Sequence, residues 1–400
     1  MTPLEEIAID RERLIEMARH NIAHVKADSI EQAEEIAKVP SDHYTDAARW
    51  NAERDRVFKE LPLVLALSTE LANPGDYRAL NVLEVPVLLV RDADGVARAF
   101  VNMCSHRGAR LVEEGAGNAT RFSCPYHGWT YTRAGDLFGV ASPKDFGVID
   151  KRCYGLTRLP TFERAGLIWV VLNPASTLDF DGFLSGYAAS LGAFGFEHWH
   201  VFGRKQLSSA NWKLTYDGYL DFYHLPVLHK LTFKAKFSNR ALSYQWGPHQ
   251  RVVTPDPTLL KLETAAPEAW DLKHMLKGVW TIFPNVAFIS VDGRGTAMMM
   301  SQIFPGGSVG ESFSQHTFIT ERELTTEEER RAAEEQFSFL VKVLREEDYP
   351  ACRGIQANLL SGARDHVLFG RNEMAGQVFH RWLDRLVQAD GGEARNALFR

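Results

Sequence analysis

A chain of 400 residues with a formal charge of −6 is long enough for two cores and has the composition of an ordinary globular protein. No basic tract or aromatic-basic interleaving occurs, so nucleic acid is not an expected partner. The apolar runs 61–67, 85–90 and 167–172 are strand-length and too short for a membrane span, and the charged N-terminus lacks the apolar stretch of a signal peptide. A cytoplasmic location is therefore expected, where the four cysteines are free thiols available to a metal.

Residues 1–45 carry Leu4, Ile7, Leu14 and Met17 at helical spacing among many charges, which predicts a helical segment packed on a core elsewhere. From 46 to 176 the chain reads as short strands, among them VLEVPVLLVRD, GVARAFVN, TRFSCPYHGWTYT and GLIWVVLN. Turn-forming pairs such as Pro74-Gly75, Asp94-Gly95 and Gly135-Asp136 separate them, so a small antiparallel β domain is expected.

Two turns of that domain carry metal-ligand chemistry: Cys104-Ser105-His106 and Cys124-Pro125-Tyr126-His127, with seventeen residues between His106 and Cys124. Two thiolates and two imidazoles can hold a tetrahedral zinc, or a [2Fe-2S] cluster in which histidines replace two cysteines on one iron. Zinc fingers usually pair like ligands along the chain. Here each turn offers one thiolate and one imidazole, which suits two different irons.

Residues 177–400 mix helical stretches with strand-like runs at 251–254, 279–289, 296–304 and 312–321, so an α+β fold is expected there. Within it, NWKLTYDGYLDFYHLPVLHK at 211–230 places Asp221 three residues before His224, on the same face in a helix, and eight before His229. Pro226 removes a donor between the histidines and is expected to break the turn, bringing both rings to one metal. Two histidines and a carboxylate on one side of an iron form the facial triad of non-haem Fe(II) oxygenases.

CSHRGARL (104–111) and CPYHGWTY (124–131) resemble the two halves of a Rieske iron-sulfur motif. With NWKL, Asp221-x-x-His224 and His229 downstream, nearly the whole chain is similar to the large (α) subunit of Rieske non-haem iron ring-hydroxylating oxygenases. The resemblance implies a Rieske [2Fe-2S] domain on Cys104, His106, Cys124 and His127, followed by a catalytic domain whose antiparallel sheet and surrounding helices hold a mononuclear Fe(II). The family places its third iron ligand at an acidic cluster before a helix containing Ile-Gln. Glu346-Glu347-Asp348 precedes Ile355-Gln356, which makes Asp348 the matching position, with Glu347 or Asp365 as alternatives. Thr325 to Glu329 read as a capped helix start, and Phe337, Val341, Leu344 and Asp348 fall on one apolar face before Pro350 turns the chain.

Asp221 matches the family's bridging aspartate, which joins an iron-ligand histidine to the second Rieske histidine, His127, of a neighbouring subunit. This implies a head-to-tail homotrimer, with a small β subunit an open question. Asp217 stands where related dioxygenases often have asparagine near the iron, and a second acid there would alter the charge around the metal. The resemblance further implies electrons from NAD(P)H through a separate flavin reductase, ferredoxin or both. Gly115-Ala116-Gly117 lacks the third glycine and the strand-turn-helix context of a dinucleotide fingerprint. Dioxygen and an aromatic or similarly apolar ring are the expected substrates, giving a cis-dihydrodiol, a monohydroxylated product or, as an alternative, a demethylated or dealkylated one. A Rieske electron carrier with an inactive second domain is the reading from another class.

Several residues have plainer readings. Cys153 and Cys352 are expected as buried apolar side chains, and Met298 to Met300 as strand core. His380 reads as structural. Leu220, Phe222, Leu225, Leu228, Trp280, Phe283 and Phe288 are candidates to line an apolar cavity. Arg107, Arg110 and Arg121 are candidates for a surface that docks an acidic ferredoxin.

Overall fold

The structure is a computed structural model that describes residues 10–233, 238–291 and 295–400. Leu4 and Ile7 of the expected N-terminal helix lie outside the described residues. The chain divides into two compact units.

The first unit holds Phe58–Thr177 together with Phe196–His198. Its strands pair antiparallel throughout. A five-stranded sheet runs in the order Arg158–Leu159, Ala97–Val101, Val85–Arg91, Asp76–Val82, Gly115–Asn118. A three-stranded sheet joins Thr161–Arg164, Leu167–Val170 and Leu63–Leu67, and a second joins Arg121–Ser123, Thr130–Thr132 and Leu137–Gly139. Leu88, Val90, Phe100, Phe122, Trp129 and Tyr131 form its core, and Cys104 and Cys124 are buried among them.

The second unit holds residues 10–57, Leu178–Gly195 and Trp199–Arg400. Seven antiparallel strands form its sheet, in the order His200–Ser209, Ser312–Thr320, Ala297–Pro305, Val286–Ser290, Val279–Ile282, His249–Val253, Leu242–Trp246. The run 279–289, read as a single strand-like stretch, is a hairpin: Pro284 offers no donor, and Asn285 N–H closes the turn on the Ile282 carbonyl at 3.2 Å. The helix Trp212–Leu220 packs against the two long strands Ala297–Pro305 and Ser312–Thr320. Trp212, Tyr216 and Leu220, one turn apart, are buried on it, and the Tyr216 hydroxyl donates to the Val286 carbonyl at 3.1 Å.

The first-unit boundary expected at residue 46 differs from the observed start at Phe58, and the reason is ionic. Glu53, at the end of the helix Ala47–Glu53, is fully buried and accepts from Lys213 Nζ at 2.5 Å, Trp212 Nε1 at 2.8 Å and Arg49 Nε at 2.9 Å. A buried carboxylate must stay with its cations, so this helix belongs with Trp212–Leu220.

The helix Glu327–Val343 starts on the expected capping box of Thr326 and Glu329. It does not end at Pro350. A wide helical turn, Leu344–Asp348, connects it to the helix Tyr349–Leu359, and Pro350 sits in the first turn of that helix, where no donor is needed. No helix among the described residues is long and apolar enough to cross a membrane.

Candidate metal centres and cavity

In the first unit the Cys104-x-His106 turn and the Cys124-x-x-His127 turn are built alike. Cys104 N–H donates to the Ala109 carbonyl at 2.8 Å and Gly108 N–H to the Cys104 carbonyl at 2.9 Å; Cys124 N–H donates to Trp129 at 2.7 Å and Gly128 N–H to Cys124 at 3.0 Å. Both glycines have positive φ, +77° and +68°, which explains why each turn carries glycine four residues after its cysteine. The turns bring the rings of His106 and His127 to 4.7 Å between centroids, with His106 stacked on Trp129.

The residues fit a Rieske cluster. His106 Nδ1 is buried with no hydrogen-bond partner among the described residues, a costly state for an imidazole nitrogen that a metal bond relieves. Burial, with His127 and Arg107 close by, holds the His106 pKa below its ordinary value, which favours the neutral, ligating ring. The Tyr131 hydroxyl accepts from Ser105 N–H at 3.0 Å, leaving its own proton for Cys104 Sγ at 3.2 Å. Such a donor steadies a thiolate.

In the second unit three donors converge. Asp348 Oδ1 lies 3.2 Å from His229 Nε2 and 3.6 Å from His224 Nε2, and all three ligand atoms fall within 4.8 Å of one another. An octahedral ion with bonds near 2.1–2.2 Å has adjacent ligand atoms about 3.0 Å apart, so the set fits one face of such an ion. The other ring nitrogens are fixed by acids: His224 Nδ1 stands 3.1 Å from Asp221 Oδ2, and His229 Nδ1 stands 2.7 Å from Glu347 Oε2. Each carboxylate holds the Nδ1–H tautomer and turns a lone pair on Nε2 toward Asp348. Burial opposes charging of His229, but hydrogen bonds to Asp348 and Glu347 outweigh that and raise its pKa, so a metal ion at Nε2 binds in exchange for a proton. Burial likewise works against ionised Glu347, yet Thr232 and His229 hold its pKa below the ordinary value.

The local route to this geometry differs from the sequence reading. Asp221 and His224 do not share a helix, because the helix ends at Leu220 and Asp221 is extended. The Asp221 Oδ1 atom accepts from the backbone N–H groups of Tyr223 and His224, at 2.5 and 3.3 Å, and this turn aims the ring. Pro226 starts the short helix Leu225–Leu228 instead of breaking one, so Leu225 is helical, and His224 and His229 flank that helix. Tyr349, beside Asp348, anchors the ligand segment through its hydroxyl, which lies 2.6 Å from Ser314 Oγ and 3.1 Å from His316 Nε2.

A cavity of about 250 Å³ opens beside this cluster. His224, Asp348 and Asp221 form one part of its wall; Leu214, Tyr219, Leu228, Leu344, Ile355 and Phe369 form much of the rest. Asp217 also faces it, but its carboxylate is engaged by the Tyr44 hydroxyl at 3.0 Å and His380 Nε2 at 3.0 Å, and it is not in the three-donor cluster. Glu373 completes the acidic side, its pKa raised by burial and by Asp221 and Asp217.

Several readings change. Glu347, weighed as an iron ligand, instead positions His229, and Asp365 pairs with His366 at 2.5 Å, outside the cluster. Of the residues offered for the cavity wall, Leu228 lines it, while Trp280, Phe283 and Phe288 are buried in the core. Cys153 is exposed, whereas Cys352 is largely buried on the cavity wall, where burial pushes its thiol up to about 12. Arg107 and Arg121 are exposed, Arg121 lying over the Phe138 ring, and Arg110 pairs with Glu114 at 3.6 Å.

Comparison with known proteins decides the family. Residues 62–162 match the family described as Rieske [2Fe-2S] domain, and residues 196–389 match the ring hydroxylating alpha subunit (catalytic domain). The large oxygenase component of salicylate 5-hydroxylase from Ralstonia sp. is 30% identical over 305 residues, 62% of this chain and 68% of that one. The chain belongs to this family. It is a large oxygenase subunit of the Rieske ring-hydroxylating oxygenases, an oxidoreductase that holds a Rieske [2Fe-2S] cluster and a mononuclear iron. The fold agrees. A quaternary ammonium Rieske monooxygenase in complex with L-carnitine superposes with a TM-score of 0.74 at 22% identity, over 88% of this chain and 97% of that one. Naphthalene 1,2-dioxygenase from Rhodococcus sp. bound to indole gives 0.69 at 19% identity, over 95% and 99%. The Rieske oxygenase family assignment makes a cluster, not a structural zinc, the group for the four first-unit ligands.

Proposed function

We propose that this Rieske oxygenase hydroxylates an aromatic or similarly apolar ring held in the cavity beside His224 and Asp348. The observation that carries the reading is that two of the three clustered metal donors, His224 and Asp348, stand in the wall of a cavity whose other side is largely apolar. In this reading Cys104, Cys124, His106 and His127 hold the cluster, and His224, His229 and Asp348 hold the iron. When bound, the cluster relays single electrons and the iron activates dioxygen. The chain's own residues then do three things. Asp221 and Glu347 fix both imidazoles, the apolar wall excludes water from the ring, and Asp221, 25% exposed, offers a polar edge through which His127 of an adjacent subunit in a homotrimer can reach His224. NAD(P)H-derived electrons enter through a separate reductase or ferredoxin, and whether a small β subunit joins the assembly belongs to the same proposal.

The cavity wall carries Asp217, Asp221, Asp348 and Glu373 and, among the described residues, no lysine or arginine. Uncharged or amine-bearing compounds suit it better than carboxylates, and this favours keeping N-demethylation as the second reading. The test is turnover of the reduced holoprotein on benzene, naphthalene, salicylate and an N,N-dimethylarylamine under isotopically labelled dioxygen. Two labelled oxygens in a cis-diol would identify a dioxygenase; one labelled oxygen in a phenol, or labelled formaldehyde from the amine, would identify a monooxygenase. No labelled product from any ring or amine, with both metal sites filled, would contradict the proposal.

A further inference from the structure

The N-terminal helix carries a second set of donors that the oxygenase site does not use. His20 and His24 stand one turn apart on the helix Arg11–Ala27, where side chains four apart meet, and their Nε2 atoms are 3.2 Å from each other. Glu31, in the segment after the helix, places Oε1 3.3 Å from His20 Nε2, and the three donor atoms all lie within 4.8 Å of one another. A tetrahedral zinc with bonds of 2.0–2.1 Å has ligand-to-ligand edges of about 3.3 Å. Both short edges of this triangle match.

Hydrogen bonds hold the far side of each ring. The Tyr244 hydroxyl donates to the Met17 carbonyl at 3.0 Å, so toward His20 Nδ1, 3.1 Å away, it acts as acceptor. His20 Nδ1 thus carries a proton, and its Nε2 faces the Glu31 carboxylate oxygen with a lone pair in the neutral ring or with a second N–H in the imidazolium. The neutral ring needs a cation between these two acceptors, and a metal ion there takes the place of the second proton of the imidazolium. Ser29 Oγ fixes His24 Nδ1 at 3.0 Å, and the second oxygen of Glu31 accepts Ser243 N–H at 3.1 Å. Partners of this kind orient metal-ligating side chains, as Asp221 and Glu347 do in the oxygenase site.

We propose that His20, His24 and Glu31 bind a divalent cation of the zinc type, distinct from the oxygenase iron. Two imidazoles and one carboxylate, with a fourth position open to water at this half-exposed surface, are a donor set that zinc prefers. Tyr244 and Ser243 belong to Leu242–Trp246, the edge strand of the seven-stranded sheet, so the ion clamps the N-terminal helix onto that edge.

The test uses holoprotein carrying Asp348→Ala, which weakens the competing iron site, and equilibrium dialysis against Zn²⁺ followed by metal analysis. The Rieske absorption spectrum and the far-ultraviolet circular dichroism report that the fold is intact. The expected result is about one Zn²⁺ per chain more than in the same protein with His20→Ala and His24→Ala added, and at least a tenfold weaker uptake with Glu31→Gln. Equal zinc uptake with and without His20 and His24 would overturn the proposal, as would no zinc uptake at all. The His20 and His24 variants, both at a half-exposed helix face, are expected to fold, and the second variant, Glu31→Gln, keeps the size of the side chain.

Discussion

His229 Nδ1 and Glu347 Oε2 are 2.7 Å apart, a contact made across 118 residues of sequence. Glu347 also accepts from the Thr232 hydroxyl, so its carboxylate is fixed at both oxygens before any metal arrives. Its neighbour Asp348 points to the other side of the same histidine, at Nε2. The wide turn Leu344–Asp348 lets consecutive acids grip opposite nitrogens of one ring.

Replacing Glu347 by alanine should therefore cost iron while sparing the cluster. Loss of an outer partner of a ligating histidine typically lowers metal affinity by about 10–100-fold. Iron retained after dialysis, read beside the Rieske spectrum, measures it; undiminished iron binding would remove Glu347 from the account.

The buried pair of Lys213 and Glu53 joins the site helix to Ala47–Glu53, both side chains being fully enclosed. Burial lowers the Lys213 pKa, and Glu53 counters that shift. Lys213→Ala leaves Glu53 with Arg49 and Trp212 but without its nearest cation, and should destabilise the second unit by about 3–5 kcal/mol. Urea unfolding followed by tryptophan fluorescence tests this. A loss below about 1 kcal/mol would mean that Arg49 alone balances the charge.

His249 sets a pH dependence. It is fully buried and satisfied as a neutral ring: Nε2–H donates to the Phe183 carbonyl at 2.9 Å, and Nδ1 accepts from Phe283 N–H at 3.2 Å. A second proton has no place, and burial lowers its pKa to about 3. Between pH 6.5 and about 3 the unfolded chain binds the proton and the folded one does not, so stability falls as pH falls, by about 1.4 kcal/mol per pH unit at most. Unfolding midpoints at pH 7 and pH 5 should differ more in the wild type than in His249→Gln.

The metal centres were legible because their chemistry is short-range in sequence. Each Rieske turn carries thiolate, imidazole and glycine within five residues, and His224 and His229 flank one proline. The strands of the first unit read as short apolar runs set off by turn-forming pairs for the same local reason. Glu347 was not legible as a positioning group, since a regular helix does not show that Leu344–Asp348 widens and splits the acids between two nitrogens. The attachment of Ala47–Glu53 to the second unit rests on an ion pair 160 residues apart, which no local pattern reveals. His20 and His24 at a spacing of four on a helix were a signal available in the sequence, but the third donor, Glu31, is supplied by the fold.

The central claim is that one chain holds a Rieske cluster on Cys104, His106, Cys124 and His127 and a separate iron on His224, His229 and Asp348. Iron and acid-labile sulfide analysis of anaerobically purified wild type and Asp348→Ala, with the EPR spectrum of the reduced cluster, tests it most directly. The account predicts about three irons and two sulfides per wild-type chain, and about two irons with an unchanged Rieske signal in Asp348→Ala. An unchanged iron content in Asp348→Ala would contradict the assignment of the second site, and zinc without sulfide in the wild type would contradict both.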